Sequence, residues 1–483
     1  MTAVPSEQTN YNMPFILVIS MVSALGGFLF GYDLLVISGA KEFYQLYFDL
    51  VSPASQGWAV SSCIVGCIAG ALFVGKPADR YGRTILLALS GLLFFVSALG
   101  SALATDFNWF VVYRLLGGVG MGMASTLSPM YIAEVAPARL RGRFVSLNQL
   151  TIVLGILAAQ LVNYLIMQYD PVPAGATPQM MLEGWVGQTG WRLMFAAEAL
   201  PAGIFMVLMF FVPKSPRFLV KIGKEKEARQ VLTRIGGDSY GTSELSLIQG
   251  SLSKDDQQVP WRSLMSRPLL GVVLMGVAIA VYQQWCGINV IFNYASDIFK
   301  DAGYEVSGIL FNLVIIGLTN LAFTLVGMRI IDSVGRKPLM IWGSLGLGLC
   351  HFLIGYCYYT GLTGIYVFVL ALAAVACFAA TLGPVAWVLI SELFPNRIRG
   401  MAMSLAVLSL WVANFVLSFT FPILKDALGP SFTFWVYGVV CLVGLFYSMG
   451  IPETKGKSLE EIELAVMGGG SQDMKDGVAL QKS

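Results

Sequence analysis

The stretch Glu134-Val-Ala-Pro-Ala-Arg-Leu-Arg-Gly142 occurs a second time, almost unchanged, as Glu392-Leu-Phe-Pro-Asn-Arg-Ile-Arg-Gly400. Both copies read E-x-x-P-x-R-[LI]-R-G, and each follows a long apolar segment. Two more pairs of short motifs recur in the same order along the chain: Asp79–Arg83 with Asp332–Arg336, and Pro213–Arg217 with Pro452–Gly456. Three paired motifs in one order predict an internal repeat, and hence two structurally equivalent halves.

The composition of the chain identifies the solvent around it. Of the 483 residues, 56% are hydrophobic and only 12% are charged, whereas soluble domains carry about 25% charged residues. The mean hydropathy is +0.72. Such a chain cannot cover a water-facing surface with polar groups, so we predict that its partner is membrane lipid. The net charge of +2 gives no indication of a nucleic-acid partner.

Apolar segments of about 20 residues, the length that a membrane-spanning helix needs, recur along the chain. The candidates lie at 14–38, 57–76, 85–104, 109–132, 144–168 and 191–212, and at 269–299, 307–331, 339–358, 363–391, 402–424 and 432–451. Because backbone groups in lipid must be satisfied within each segment, all twelve are predicted to be helices. The predicted fold class is an all-α membrane protein with two pseudo-symmetric six-helix halves.

The polar stretch between the sixth and seventh segments divides the chain. The predicted organisation is an N-terminal half at 1–212, a cytoplasmic linker with short amphipathic helices at 213–267, a C-terminal half at 268–451 and a cytoplasmic tail at 452–483. The first apolar stretch is too long for a cleaved signal, so we expect it to be retained as a spanning helix.

The distribution of basic residues predicts the topology. Most of the 30 Lys and Arg residues fall in connections on the same side as both chain ends, and only Lys41, Lys300 and Lys425 fall in connections on the other side. Cytoplasmic loops carry the excess of Lys and Arg. The pattern therefore predicts a multi-pass protein of the cell membrane with both termini in the cytoplasm.

The seven cysteines all lie in apolar stretches, and none has metal-ligand spacing. We interpret them as small packing residues. The sequence contains no metal cluster, P-loop or nucleophile elbow. We therefore expect no metal, no cofactor, no ATP coupling and no enzyme activity.

The motifs together resemble the sugar porters of the major facilitator superfamily, over nearly the whole chain. The residues that carry the resemblance are Asp79–Arg83, Pro129–Glu134 with Arg141 and Gly142, Pro213–Arg217, Gln283–Asn289, Gly383–Trp387 with Glu392, Arg399 and Gly400, and Pro452–Gly456. The resemblance implies the major facilitator fold, transport by alternating access and a sugar as substrate.

Acids and bases cluster at the predicted inner ends of the helices. One predicted network contains Asp79, Arg83, Glu134 and Arg141, and its twin contains Asp332, Arg336, Glu392 and Arg399. The low dielectric at helix ends strengthens such pairs. The resemblance implies that these networks latch the halves together when the carrier faces outward. The alternative is that they are topology residues alone.

Asp33, Arg114 and Glu198 are charged residues that lie inside predicted spans, away from the span ends. A charge at the bilayer centre costs several kcal/mol on common scales, so we expect these residues to be paired and functional. The resemblance implies proton coupling, since proton-coupled members carry Asp at position 33 and animal facilitators carry Asn. A static ion pair is the alternative, and Glu198 could instead lie near the outer surface with Arg192.

Amides and aromatic rings suit a polyhydroxyl substrate, because amides both donate and accept hydrogen bonds and rings stack on sugars. The predicted sugar-binding residues, which match the family's positions, are Gln149, Gln283, Gln284, Asn289, Tyr294, Asn320, Phe378, Trp387 and Trp411. On a straight helix Gln284 and Asn289 lie about 140° apart. A break at Cys286–Ile288, which the resemblance implies, would let both point into a site between the halves near the midplane.

Two positions depart from the family pattern. Leu410 stands where a glutamine or asparagine is usual, and Asn293 replaces a usual tyrosine. The substrate is therefore left open, although the fold is not. Asp297, Lys300 and Asp301 are interpreted as an outer-surface rim, and we assign no proton relay to the single histidine, His351.

The sequence thus predicts a monomeric, proton-coupled symporter of a hexose or pentose. The alternatives are a facilitative uniporter of a sugar or of an inositol-type polyol, and a sugar receptor that does not transport. A receptor of this kind usually has a long cytoplasmic tail, and few residues follow Pro452. The sequence does not determine the sugar, the affinity or the oligomeric state.

Overall fold

The computed structural model describes residues 11–173, 175–254, 264, 267–394 and 398–456, without the side chains of 251–254, 267, 268, 307 and 332. Described residues of the N-terminal half form α1 to α6: Met13–Tyr47, Pro53–Phe73, Gly75–Tyr81, Arg83–Leu103, Phe107–Val135 and Arg141–Tyr169. The half continues with α7 (Pro178–Glu183), a π-helical turn (Val186–Gly190), α8 (Trp191–Ala196) and α9 (Ala199–Met209). No strand occurs among the described residues.

The predicted linker contains two helices, α10 (Pro216–Lys221) and α11 (Glu225–Lys254), and α11 bends at Gly237 with a φ of +86°. The C-terminal half contains α12 to α19: Arg267–Trp285, Ile288–Asn293, Ala295–Asp301, Val306–Val334, Arg336–Thr360, Ile365–Ala380, Leu382–Leu393 and Arg399–Gly450. Within α19, Gly429 has a non-helical φ of +76° and divides the run into two helices.

Eleven described helices are long and apolar enough to cross a membrane. Because Gly429 splits the last of them at the position that separates the predicted spans 402–424 and 432–451, the prediction of twelve spans in an all-α fold is confirmed. Helix starts follow local chemistry. Ser52 accepts a hydrogen bond from the Ser55 N–H at 3.1 Å and Asp106 accepts one from the Asn108 N–H at 2.8 Å, which satisfies donors that the first helical turn leaves free.

The described residues group into two compact units. The first holds those within Met1–Gln258, Asn289–Leu321 and Ser418–Ala427, and the second holds those within Val259–Ile288, Ala322–Leu417 and Leu428–Ser483. Two segments that belong to the C-terminal half by sequence therefore pack within the first unit.

Small residues allow very close helix packing in the first unit. A Cβ on Gly118 of α5 would lie 1.9 Å from the Cys63 carbonyl oxygen of α2, and one on Gly31 of α1 would lie 1.9 Å from the Ile152 carbonyl oxygen of α6. Close backbone approach of this kind drives helix association in lipid, where apolar burial alone contributes little. The packing fixes α1, α2 and α5 around the charges described next.

Candidate functional site

A buried ion pair joins Asp33 on α1 to Arg114 on α5. Both residues are 1% exposed. The guanidinium binds the Asp33 carboxylate through Nη1, and its Nη2 donates to the Asp33 carbonyl oxygen at 3.3 Å. The Cys63 thiol on α2 donates to Asp33 Oδ2 at 3.4 Å. The predicted pairing of these two embedded charges is therefore present, and the structure adds a thiol that the sequence did not suggest.

Glu198 completes this cluster. It lies in the turn between α8 and α9, is 2% exposed, and is close enough to Asp33 and Arg114 to interact with both charges. Its Oε1 has no hydrogen-bond partner within the described part of the chain. The alternative in which Glu198 lies at the surface with Arg192 does not occur, because Arg192 donates to the Ala102 and Ala104 carbonyls at 2.6 and 2.7 Å.

The repeated motifs build an acid–base cluster in the first unit. Arg83 Nη2 lies 3.0 Å from Glu134 Oε1, and its Nη1 lies 3.5 Å from the Asp79 carboxylate and donates to the Ala78 carbonyl at 3.1 Å. Ser215, from the Pro213–Arg217 motif, donates to the other oxygen of Glu134. All three motifs of this half thus meet at one carboxylate.

The second unit contains the matching contacts of its own arginine and glutamate. Arg336 Nη2 lies 3.0 Å from Glu392 Oε1, and its Nη1 donates to the Ile331 carbonyl at 3.3 Å. Thr454, which occupies in Pro452–Gly456 the place of Ser215, donates to Glu392 Oε2 at 2.6 Å. The sequence showed that the motifs repeat, but the roles of Ser215 and Thr454 were not predicted.

Glu453 strengthens the second cluster from outside the spans. Its carboxylate accepts the N–H groups of Arg336 at 3.1 Å, Lys337 at 3.0 Å, Thr454 at 2.9 Å and Lys455 at 2.8 Å. Partial burial alone would raise the pKa of Glu453, but these four donors outweigh it and lower the pKa below the ordinary value. The carboxylate also satisfies the first N–H groups of α16.

Some predicted members of the networks lie elsewhere. Arg141 is exposed and forms no ion pair with a described residue. Arg399 donates from Nε to the Phe394 carbonyl at 3.2 Å and is not paired with Glu392 in the described part of the chain. The side chain of Asp332 lies outside the described residues, as do Pro395–Arg397 of the second long motif.

The predicted break in the seventh span is confirmed. Helix α12 ends at Trp285, α13 begins at Ile288, and Gly287 between them has a φ of +86°. A conformation of this kind favours glycine. Gln283 and Gln284 lie before the break, each 6% exposed, and the Gln284 amide donates to the Gln283 side-chain oxygen.

The predicted sugar-binding residues are divided between the two units. Gln149, Asn289, Tyr294 and Asn320 belong to the first unit, and Gln283, Gln284, Phe378, Trp387 and Trp411 belong to the second. Tyr294 is 1% exposed, donates to the Ser418 carbonyl and packs on Phe421 with ring centroids 4.6 Å apart. Trp387 is 38% exposed, whereas Trp411 is 5% exposed.

Gln160 is a candidate that the sequence reasoning missed. It is 1% exposed, and neither its amide oxygen nor its nitrogen has a hydrogen-bond partner among the described residues. Its position, eleven residues after Gln149 on α6, brings the two amides back to the same helix face within about 20°. This spacing is the signal that could have found it. Leu410 and Asn293, the two departures, are 3% and 2% exposed.

Lys41 was predicted to lie in an outer connection, and this prediction is wrong. Helix α1 continues to Tyr47, and Lys41 lies inside it with only 1% of its surface exposed. Its ammonium forms an ion pair with Asp297 on α14 and lies 3.9 Å from the Tyr294 ring centroid. Lys300 pairs with Glu42 at 3.3 Å and Lys425 with Asp301 at 2.6 Å. The residues interpreted as a surface rim therefore form a set of ion pairs.

Comparison with known proteins identifies the class of protein to which the chain belongs. The family profile described as "Sugar (and other) transporter" matches residues 19–465. The D-xylose-proton symporter of Escherichia coli strain K12 is 39% identical, over 94% of this chain and 96% of that protein. The arabinose-proton symporter of Bacillus subtilis strain 168 is 38% identical, with the same coverage of both chains. The chain belongs to the sugar porters of the major facilitator superfamily.

A solved structure shares this fold. The xylose transporter XylE of Escherichia coli, in a partially occluded inward-open conformation, matches with a TM-score of 0.80 and 36% identity, over 92% of this chain and all of that one. The chain is thus a multi-pass membrane protein of the same architecture.

Proposed function

We propose that this protein is a proton-coupled symporter of a monosaccharide, a pentose or hexose, that works by alternating access. The observation that carries the proposal is the buried cluster of Asp33, Arg114 and Glu198. Two carboxyl groups and one guanidinium lie in this cluster, with Asp33 bound to the guanidinium, so the cluster is electrically neutral only when one carboxyl carries a proton. Isolated net charge in lipid is costly, and a cluster of this composition is therefore suited to take up and release one proton in each transport cycle.

The coupling follows from the ion pair. Ionised Asp33 is held by Arg114, which keeps α1 and α5 in one arrangement. Protonation of Asp33 removes the charge attraction and leaves Arg114 available to Glu198, the second acid within its reach. A proton can therefore change which helices the guanidinium holds. Two relatives, the D-xylose-proton and arabinose-proton symporters, are named for carrying a sugar with a proton.

The proposed sugar ligands are the amides Gln149, Gln283, Gln284, Asn289 and Asn320 with the rings of Tyr294, Phe378, Trp387 and Trp411. We add Gln160, because a fully buried amide without a protein partner is costly unless a ligand or water meets it. Leu410 removes one polar contact, so the sugar that binds best is expected to differ from that of relatives with an amide there.

The two motif clusters are proposed to latch the inner ends of the helices during the cycle. The proposed setting is the cell membrane with both chain ends in the cytoplasm, since the basic connections lie on that side. We propose that one chain is sufficient for transport, in contact with lipid, and that its activity is transport without a catalysed reaction.

The test is uptake of labelled D-xylose, L-arabinose and D-glucose into proteoliposomes, with and without an imposed inward proton gradient. The parent is expected to concentrate at least one of these sugars only when the gradient is present. Asp33→Asn keeps the size and a hydrogen-bonding group but cannot carry the proton. We expect it to bind and exchange sugar without concentrating it.

Three results would change the assignment. If the parent equilibrates a sugar but ignores the gradient, the protein is a uniporter. If Asp33→Asn concentrates sugar as the parent does, the proton is carried elsewhere. A scan of polyols such as myo-inositol under the same conditions tests the substrate class, and binding without any uptake would indicate a receptor.

A further inference from the structure

The single histidine of the chain contacts the break in the seventh span. His351 on α16 is 0% exposed, and its Nε2 lies 2.8 Å from the Cys286 carbonyl oxygen. That carbonyl lies in the two-residue gap between α12 and α13. A carbonyl accepts only, so the contact assigns the imidazole tautomer that carries its hydrogen on Nε2.

The contact offsets part of the free-energy cost of the break. A helix that stops within the membrane leaves carbonyl groups without their regular partners, and lipid offers none. The Cys441 thiol donates to the same carbonyl at 3.4 Å, as a second and weaker donor. Two side chains, one from α16 and one from α19, therefore donate to the Cys286 carbonyl within the break.

The space around the imidazole is closely filled. A Cβ added to Gly287 would lie 2.8 Å from His351 Nε2 and 3.0 Å from the Tyr437 Cβ. The imidazole stacks on Phe434 at 5.9 Å with an interplanar angle of 30°. Nδ1 has no partner among the described residues. The ring is thus held in one place by packing, and within the described part of the chain its one polar contact is the carbonyl at the break.

We propose that His351 is a positioning residue for sugar binding, because its hydrogen bond to the Cys286 carbonyl holds the break that sets the direction of Gln283 and Gln284. Gln283 and Gln284 lie in the last turn of α12, three and two residues before Cys286, so a donor that holds the Cys286 carbonyl also holds the turn that carries them. The role in sugar binding rests on the proposed function, whereas the hydrogen bond itself is observed in the structure.

The first test is equilibrium binding of D-xylose to purified protein at one pH. His351→Leu fills similar space but cannot donate, and we expect its dissociation constant to rise by about tenfold or more, the range for an unmet buried acceptor. His351→Gln retains a donor and should stay within about threefold of the parent. Equal weakening in both variants would overturn the proposal, as would full affinity in His351→Leu.

Ser344→Ala is the matched control. Ser344 is 1% exposed, lies on α16 with His351, and accepts from the Tyr282 hydroxyl of α12 at 2.6 Å, so its hydrogen bond does not involve the Cys286 carbonyl. Ser344→Ala loses a buried hydrogen bond from α16 to the seventh span, as His351→Leu does. We expect its thermal stability to fall as much as that of His351→Leu, with D-xylose affinity unchanged. If its affinity falls equally, the effect of His351 is general packing and the proposal fails.

The second test does not depend on sugar. Because the chain has one histidine, selective ¹⁵N labelling of the imidazole gives the signals of His351 alone. The expected spectrum at neutral pH shows hydrogen on Nε2 and none on Nδ1. A ring with its hydrogen on Nδ1 would overturn the proposal even if D-xylose binds. An Nε2–H ring in a parent that binds no sugar would instead count against the proposed function.

Discussion

Replacing Asp297 with Asn removes the counter-ion of Lys41, a lysine of which only 1% is exposed. Removing one partner of a buried ion pair costs about 3–5 kcal/mol, because it leaves a charge both buried and unpaired. Two features place the expected cost at the lower end. The Asp297 side chain is 22% exposed, and the Glu42 carboxylate adjoins Lys41. A cost of about 3 kcal/mol corresponds to roughly a hundredfold change in population.

The direction of the change follows from where the pair lies. The pair joins α1 to α14 within the first unit, on the side predicted to face outward. Asp297→Asn raises the free energy of this arrangement and favours any state in which the Lys41 ammonium reaches water. Tyr294 connects this pair to Ser418, because its ring contacts the Lys41 ammonium and its hydroxyl donates to the Ser418 carbonyl. Ser418 is 1% exposed and should become accessible when Lys41 moves.

The assay is labelling of Ser418→Cys by a membrane-impermeant thiol reagent added outside. Six of the seven native cysteines are buried and Cys377 is half-buried, so the parent without Ser418→Cys gives the background. We expect Asp297→Asn to raise the labelling rate by up to about a hundredfold. Adding Lys41→Met to Asp297→Asn removes the stranded charge and should return the rate toward that of the parent.

Lys300→Gln is the matched control. Lys300 pairs with Glu42 at 3.3 Å, but its side chain is 58% exposed. Exposed pairs contribute about 0–1 kcal/mol, so labelling should change by less than about fivefold. The reasoning is refuted if Asp297→Asn labels no faster than Lys300→Gln, or if the double variant labels as fast as Asp297→Asn.

Three further predictions concern the other sites. Gln284→Ala should weaken sugar binding by about 1–3 kcal/mol, because it leaves buried polar groups unmet; binding within twofold of the parent in a calorimetric titration would remove it from the site. Glu392→Gln should weaken the cluster with Arg336 and Thr454 and shift accessibility labelling toward inward-facing states while sugar binding persists; unchanged labelling would count against the latch. Glu453 has a folded-state pKa below the ordinary value of about 4.3, so its stabilising contribution is present above that pH and is lost as pH falls through the folded-state pKa. The melting temperatures of Glu453→Gln and the parent should therefore differ at pH 7 and converge in acid. A difference that stays constant with pH would contradict this prediction.

The fold was readable from the sequence because hydropathy and charge depend only on composition along the chain. Twelve apolar segments and three repeated motifs were sufficient for the architecture. The close pairing of Arg83 with Glu134 and of Arg336 with Glu392 could also be predicted, since each pair lies at the ends of neighbouring helices. The break at Gly287 followed from the resemblance and from the geometry of a straight helix.

Other features depended on how the helices are rotated and packed, which no local pattern records. Lys41 and Asp297 are 256 residues apart, and α1 had to extend beyond its apolar core for them to meet. His351 and Cys286 are 65 residues apart, and nothing near His351 in the sequence indicates a carbonyl without a helical partner. The sequence determined that this chain crosses the membrane as two related halves, because lipid selects for apolar helices whatever their neighbours. Only the tertiary structure decided which buried polar groups meet, because each such contact requires two helices to present single residues to one another at hydrogen-bonding distance.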